Sequence, residues 1–266
     1  MSEAPLAGRL AVVTGALGRL GPVWVRALAS AGADVVGLDL SDDGAEQLRE
    51  SVADGPGSYS HHLTDVCVRE ELDEVCEAMQ ASRGAASILV CSAGIDQSPD
   101  ASADTARIED VPAAAFRETL DVNLVGTFLS IQAFGQPMAD AGGGSIVTIG
   151  SLYASQAPDP ALYDHLDVDP PFLKPPAYGA SKAGVVSLTR YFARLWGPYG
   201  VRVNALSPGG VRGDQDSEFV RKYSARVPLG RLAEPEELAG PLVFLASDAS
   251  SYLSGRELVV DGGLSA

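Results

Sequence analysis

The chain has 266 residues, 46% of them hydrophobic, and a formal net charge of -16. That length fits one large α/β domain or two small ones, with enough apolar residues for a substantial core. The acidic balance disfavours nucleic acid and anionic membrane surfaces as partners, and aliphatic runs such as Leu242–Ala246 are far too short to span a bilayer.

Taken in chain order, the first element is an apolar strand, Leu10–Thr14, followed by the turn "TGALGRLG" at 14–21 and a helical pattern at Gly21–Ala31. Strands then read at Asp34–Asp39, Ser58–His62, Ser87–Cys91, Ser145–Ile149, Val201–Ser207 and Glu257–Val260. Helical patterns lie at Ala45–Val52, Arg69–Ser82, Phe116–Met138, Ala180–Trp196 and Pro235–Ser247. Strands alternating with helices are βαβ units, which build a parallel sheet covered on both faces. The expectation is one doubly wound α/β domain over residues 1–266, with about seven parallel strands. One stretch breaks the rhythm: residues 152–177 hold six prolines in 26 residues and exclude a regular helix or central strand. A loop of that length is expected to be functional or disordered.

The start, Met-Ser-Glu-Ala-Pro, has no basic segment and no apolar signal core, so a cytoplasmic protein is expected. Cys67, Cys76 and Cys91 form no CxxC pair, and His61, His62 and His165 have no HExxH context. Neither a disulfide framework nor a metal site is expected.

A strand, a glycine-rich turn and a helix together make the architecture of a dinucleotide site. Gly15 permits the tight turn, Gly18 lets the backbone approach a pyrophosphate, Gly21 allows close helix packing, and the helix N-terminus favours the anion. Asp39 follows Gly21 by 18 residues at the end of the second strand. A carboxylate there accepts hydrogen bonds from both adenosine ribose hydroxyls and repels a 2′-phosphate, which favours NAD. Farther on, "YGASK" at 178–182 puts Tyr178 and Lys182 four residues apart, on one helical face, just after Pro175-Pro176. A phenol titrates near ~10. A neighbouring ammonium favours phenolate, and lowering that pKa by ~3 units takes ~4 kcal/mol. Such a pair suits general acid/base work.

With these pieces in place, the sequence resembles a short-chain dehydrogenase/reductase over nearly its whole length. The turn "TGALGRLG", Asp39, "DV" at 65–66, "CSAG" at 91–94, "NLVGTF" at 123–128, "GSIVTIGS" at 144–151, "YGASK", "VRVNALSPGGV" at 201–211 and "LSGRELVVDGG" at 253–263 occur in family order. The resemblance implies a Rossmann-type domain that transfers hydride between NAD(H) and a secondary alcohol or ketone. It implies that Tyr178 is the acid/base and that Lys182 binds the nicotinamide ribose and lowers the tyrosine pKa. Ser151 holds the substrate oxygen on this reading, and Asn123 holds a helix distortion and a relay water. It places Asp65 and Val66 at adenine, Ser92, Ala93 and Gly94 along the adenosine ribose, and Pro208, Gly209 and Val211 beside the nicotinamide. Arg19 and Leu20 fall within the cofactor turn, with Arg19 either over the pyrophosphate or in solvent. Relatives of this kind are dimers or tetramers joined through their long helices, here Phe116–Met138 and Ala180–Trp196, with the C-terminal strand region at a second contact.

The chain departs from the family pattern in several places. Its turn spacing is GxxGxxG, with Arg19 where the commonest branch has glycine; Ser92 replaces an asparagine, and Gly213 stands where a threonine often contacts the carboxamide. The turn spacing keeps open a sugar or sugar-nucleotide epimerase or dehydratase using bound NAD. A non-catalytic dinucleotide sensor is a further alternative. The proline-rich segment separates Ser151 from Tyr178 by 27 positions, more than the family spacing. Its Tyr153, Asp164, His165, Asp167, Asp169 and Lys174 are candidates to meet a polar substrate, and residues 156–176 are expected to act as a lid.

Overall fold

A computed structural model describes residues 4–96 and 107–266. Seven strands form one sheet: β1 (Leu10–Thr14), β2 (Asp34–Asp39), β3 (Ser58–Leu63), β4 (Ile88–Cys91), β5 (Gly144–Ile149), β6 (Val201–Pro208) and β7 (Glu257–Val260), in the order β3-β2-β1-β4-β5-β6-β7. Every pairing is parallel. The chain runs outward from β1 to β3, returns to the centre at β4, and runs outward on the other side, so the order reverses between β1 and β4. That reversal opens a crevice at the carboxyl ends of the central strands.

The central strands are buried and mostly apolar because both of their faces are covered. Alternation divides them between two cores. Ala11, Val13, Val35, Ile88 and Val147 pack with Trp24 and Leu28 on one face, while Leu10, Val12, Val36, Leu89 and Ile146 pack with Ile131, Phe134 and Trp196 on the other. Helices α1 (Gly21–Ser30), α2 (Ala45–Val52), α3 (Arg69–Arg83), α4 (Ala113–Leu120), α5 (Gly126–Asp140), α6 (Pro176–Trp196), α7 (Ser217–Ser224) and α8 (Ala239–Ala246) complete the two layers.

Several elements differ from the sequence expectation. The pattern over Phe116–Met138 is two helices, α4 and α5, joined by a π-helical turn at Asp121–Val125. Helix α6 begins at Pro176, earlier than residue 180, because proline at the first helical position has no N–H to lose and a φ already suited to the helix. Tyr178 therefore sits in its first turn. The pattern over Pro235–Ser247 divides into a 3₁₀ turn at Pro235–Leu238 and α8, whose first turn contains Pro241, a residue unable to donate to the preceding turn.

Helix α7 was not read from the sequence. Asp216 caps it by accepting from Glu218 N and Phe219 N, both at 2.9 Å, and it buries Phe219 and Tyr223. Their partner is the proline-rich segment. Leu162, Tyr163 and Phe172 join Phe219, Tyr223, Val227 and Leu232 in a third apolar cluster, with the Tyr163 and Phe172 rings 4.9 Å apart. The segment is thus packed on α7 by its own small core. Phe172→Ala should lower stability by about 3 kcal/mol, the usual cost of emptying a buried aromatic site. Chemical denaturation checks this, and a loss below about 0.5 kcal/mol, within the scatter of surface substitutions, would show that the cluster contributes little.

Candidate active site

The glycine turn closes at the end of β1. Gly15 has φ +66°, and a Cβ there would lie 2.7 Å from Ala93 Cα; a Cβ on Gly21 would lie 2.2 Å from Gly15 O. Backbone therefore approaches backbone with no side chain between, a cradle shaped for a phosphate at the α1 N-terminus. Gly18 is exposed on the turn, and Leu20 packs inward against the first core. The Asp39 carboxylate is anchored at the tip of β2: one oxygen accepts from Leu17 N and the other from Leu40 N, each at 2.8 Å. Residues 14–21 and Asp39 fit a dinucleotide on these grounds.

The other residues expected along the cofactor lie at or just beyond the carboxyl ends of β3, β4 and β6. Asp65 turns the chain after β3, accepting from Cys67 N at 2.8 Å, and Val66 is buried in the second core. Thr14 Oγ1 accepts from Ser92 N at 3.0 Å and Ala93 N at 3.1 Å, which ties "CSAG" to the end of β1. The Ser92 hydroxyl accepts from the Trp24 indole at 2.9 Å, an α1 contact the sequence did not disclose. Gly94 lies against Asn123 and Lys182: a Cβ there would be 3.1 Å from Asn123 Oδ1 and 3.7 Å from Lys182 Nζ. Pro208 ends β6, Gly209 N donates to Val260 O at 2.9 Å, and Val211 is buried beyond it. Arg19 is exposed to solvent on the turn. It crosses to the loop after β6 and donates from Nη2 to Val211 O at 2.7 Å.

Ser151, Tyr178, Lys182 and Asn123 converge at the end of β5 and the start of α6. Ser151 lies close enough to the Tyr178 phenol to pull its pKa down. Lys182 Nζ lies 5.7 Å from the Tyr178 ring centroid and donates to Ile149 O at 2.9 Å. Asn123 sits in the π turn, fully buried. Its Oδ1 accepts from Ile95 N at 2.7 Å, and its Nδ2 donates to Ile95 O at 3.0 Å and to Ser181 Oγ at 3.1 Å. The distorted helix is thereby clamped to the loop after β4. The Asn123 carbonyl accepts from Thr127 Oγ1 at 2.8 Å.

Burial governs the titration of the two groups. Burial pushes the Tyr178 phenol up to about 12, and the nearby Asp96 carboxylate adds to this; Ser151 and the charge of Arg19 pull the other way. Burial also pushes Lys182 down to about 8, opposed by Asp96. Burial is the largest influence on both groups, because both are enclosed.

Asp96 is a site residue the sequence reading missed. It forms an ion pair with Lys174 (Nζ to Oδ2, 2.5 Å), and Lys174 Nζ lies 5.4 Å from the Tyr178 ring centroid. Nothing in a single Asp after "CSAGI" signals this; only the fold brings residues 96 and 174 together. Tyr153 sets its ring edge-on to Tyr178, at 6.4 Å and 83°. Among the segment's proposed substrate contacts, then, Tyr153 and Lys174 reach the site. Asp164 and His165 do not: Asp164 pairs with Lys222, and His165 with Asp216 at 2.9 Å, both on the α7 side. Asp167 and Asp169 are exposed. A cavity of about 460 Å³ opens between the segment and the first turns of α6, lined by Tyr153, Tyr163, Phe172, Lys174 and Gly179. Neither Ser151 nor Tyr178 lines it, so it lies beside the reacting groups rather than at them.

Comparison with known proteins places this arrangement. The family model described as Enoyl-(Acyl carrier protein) reductase matches residues 15–265. D-threitol dehydrogenase of Mycolicibacterium smegmatis is 37% identical over 270 residues, covering 97% of this chain and 93% of its own. NAD-dependent glycerol dehydrogenase of Listeria innocua is 33% identical, with 96% and 93% covered. The crystal structure of a gluconate 5-dehydrogenase from Burkholderia cenocepacia, in complex with NADP and tartrate, superposes with a TM-score of 0.84 at 30% identity, covering 98% of this chain and 97% of that one. Among the described residues no helix is long and apolar enough to cross a membrane. With the family model and the relatives all spanning nearly the full length, and with the parallel sheet and the Ser-Tyr-Lys cluster in place, the chain belongs to the short-chain dehydrogenase/reductase family.

Proposed function

We propose that the protein is an NAD-linked dehydrogenase that oxidises a secondary alcohol, or reduces the matching ketone, on a polar polyhydroxylated substrate. The observation that carries this reading is the convergence of Ser151 and the Tyr178 phenol, with the Lys182 ammonium 5.7 Å from the centroid of the ring. When bound, the dinucleotide supplies the donor or acceptor of hydride and, in its oxidised form, a positively charged ring. Ser151 donates to the substrate oxygen and fixes it beside Tyr178. Tyr178 gives its proton to that oxygen in reduction and receives it in oxidation. Its raised pKa keeps it protonated at neutral pH, the state a proton donor needs. Lys182 holds the ribose, and Asn123 positions the loop after β4 and a relay water. The Asp96–Lys174 pair and Tyr153 place an acceptor, a cation and a phenol beside the reacting oxygen, a set suited to several hydroxyls. The relatives, named as threitol and glycerol dehydrogenases, agree with that class and do not favour the epimerase or sensor alternatives. A panel of polyols, sugars, hydroxy acids and cyclic alcohols with NAD⁺, read as NADH formation, tests the proposal. Activity confined to alcohols without further hydroxyls would refute the polyol reading.

NAD is proposed over NADP because the anchored Asp39 carboxylate opposes a 2′-phosphate. Arg19, the basic residue of the turn, supports this by reaching toward β6, whereas Asp39 lies on the β2 side of β1. Asp39→Ser should lower the NAD-over-NADP ratio of kcat/KM by about tenfold or more, the scale of a lost hydrogen bond to a charged group. A wild-type preference for NADP would overturn the assignment. Assembly through α5 and α6 is proposed from Val125, Phe128, Tyr191 and Leu195, large apolar side chains left exposed at or beside these helices, with Val259 exposed on β7 at the second contact. Sedimentation velocity, with a dimer or tetramer expected, checks it.

A further inference from the structure

The Arg19 bridge joins two walls of the crevice. The glycine turn follows β1 and Val211 follows β6, and in the sheet β4 and β5 stand between them. An extended molecule reaching from Asp39, at the end of β2, to Tyr178, in the first turn of α6, spans the same row of strand ends as this side chain. The acceptor is firmly held. Val211 O also accepts from Gln215 Nε2 at 2.8 Å, Gln215 Oε1 accepts from Gly213 N at 2.8 Å, and Val211 bridges to Ala233. Beneath the guanidinium lies Gly213, where a Cβ would fall 2.5 Å from Nη2, 3.0 Å from Cζ and 3.2 Å from Nε. Gly213 is not among the glycines with positive φ. Its backbone therefore does not demand glycine; the space taken by the arginine does. Two residues 194 positions apart in the chain fit each other.

We propose that Arg19, Val211 and Gly213 form a clasp across the crevice that closes over the bound dinucleotide and sets the rate at which the cofactor leaves. The guanidinium offers five N–H donors and spends one on Val211. The others are available to the pyrophosphate, which the α1 N-terminus holds beside it. Release then requires the Arg19–Val211 bond to open. The influence of the Arg19 charge at Tyr178 agrees with its position above the site. The clasp rests on the dinucleotide reading above, and the two can fail separately.

The test is NADH binding and release by wild type, Arg19→Met, Gly213→Ala and the double variant, followed by stopped-flow fluorescence without substrate. Each single variant should release NADH about tenfold faster or more, the scale of one charge-assisted hydrogen bond, with a smaller change in the association rate. The double variant should be no worse than Arg19→Met, because the added methyl group has nothing to displace once the guanidinium is gone. Thermal unfolding without NADH should be nearly unchanged in all of them. An unaltered release rate in Arg19→Met would overturn the clasp while leaving the dinucleotide reading intact, as would a further loss on adding Gly213→Ala to it. Wild type that binds neither NADH nor NADPH would overturn both.

Discussion

Tyr178→Phe should reduce turnover by a factor of about 10²–10⁴, the range a positioned general acid or base contributes, while NADH affinity stays within about threefold of wild type, a difference under ~1 kcal/mol. On the proposed reading the hydroxyl faces the substrate beside Ser151, whereas the glycine turn, Asp39 and the loop after β6 hold the cofactor. Removing one oxygen leaves the ring, its edge contact with Tyr153 and the helix start undisturbed. The variant should therefore fold, bind NADH and fail at proton transfer. Steady-state rates on the preferred alcohol and a fluorescence titration with NADH check the two halves. Retention of more than about a tenth of the activity would exclude Tyr178 as the acid/base, since that is below the smallest contribution expected of such a group.

Lys182→Met should abolish most turnover and yet stabilise the cofactor-free protein. Lys182 is buried and its pKa falls from 10.5 to about 8, so the folded state binds its proton less tightly than the unfolded chain does. Stability therefore rises with pH between about 8 and 10.5, and below about 8 the folded protein bears the full cost of the buried ammonium. The gap between the two values corresponds to about 3 kcal/mol. Methionine removes that cost and loses the hydrogen bond to Ile149 O, worth about 1 kcal/mol. A net gain of roughly 2 kcal/mol at pH 7 is expected, shrinking toward pH 10. Denaturant unfolding at several pH values reads it directly. A variant less stable than wild type at pH 7, or a gain that grows with pH, would show that the lysine is not held against its solvation. Activity should fall about a hundredfold or more, since a neutral thioether cannot take the role proposed for Lys182 at the ribose and the phenol.

Much of this protein is local in the chain and so legible there. Strand and helix patterns over short windows place all seven strands to within a residue or two, and every consecutive pair of strands except β3 and β4 lies side by side in the sheet. The glycine turn, Asp39 and the Tyr178–Lys182 spacing are also local, because a turn conformation and one helical face are set by neighbouring residues. Helix α7 escaped because its eight residues are short and mostly polar; its two buried aromatics matter only against Tyr163 and Phe172 of the proline-rich segment. The π turn at Asn123 depends on where the carboxamide is clamped, by Ile95 and Ser181, 28 and 58 positions away. The pairings of Asp96 with Lys174 and of Arg19 with Val211 and Gly213 span 78 and almost 200 residues and exist only once the sheet has brought its strand ends to one side. The pKa values belong to the same class. A sequence gives the identity of a phenol and an ammonium; their titration is decided by how much water the folded chain leaves around them, and here burial prevails over attraction.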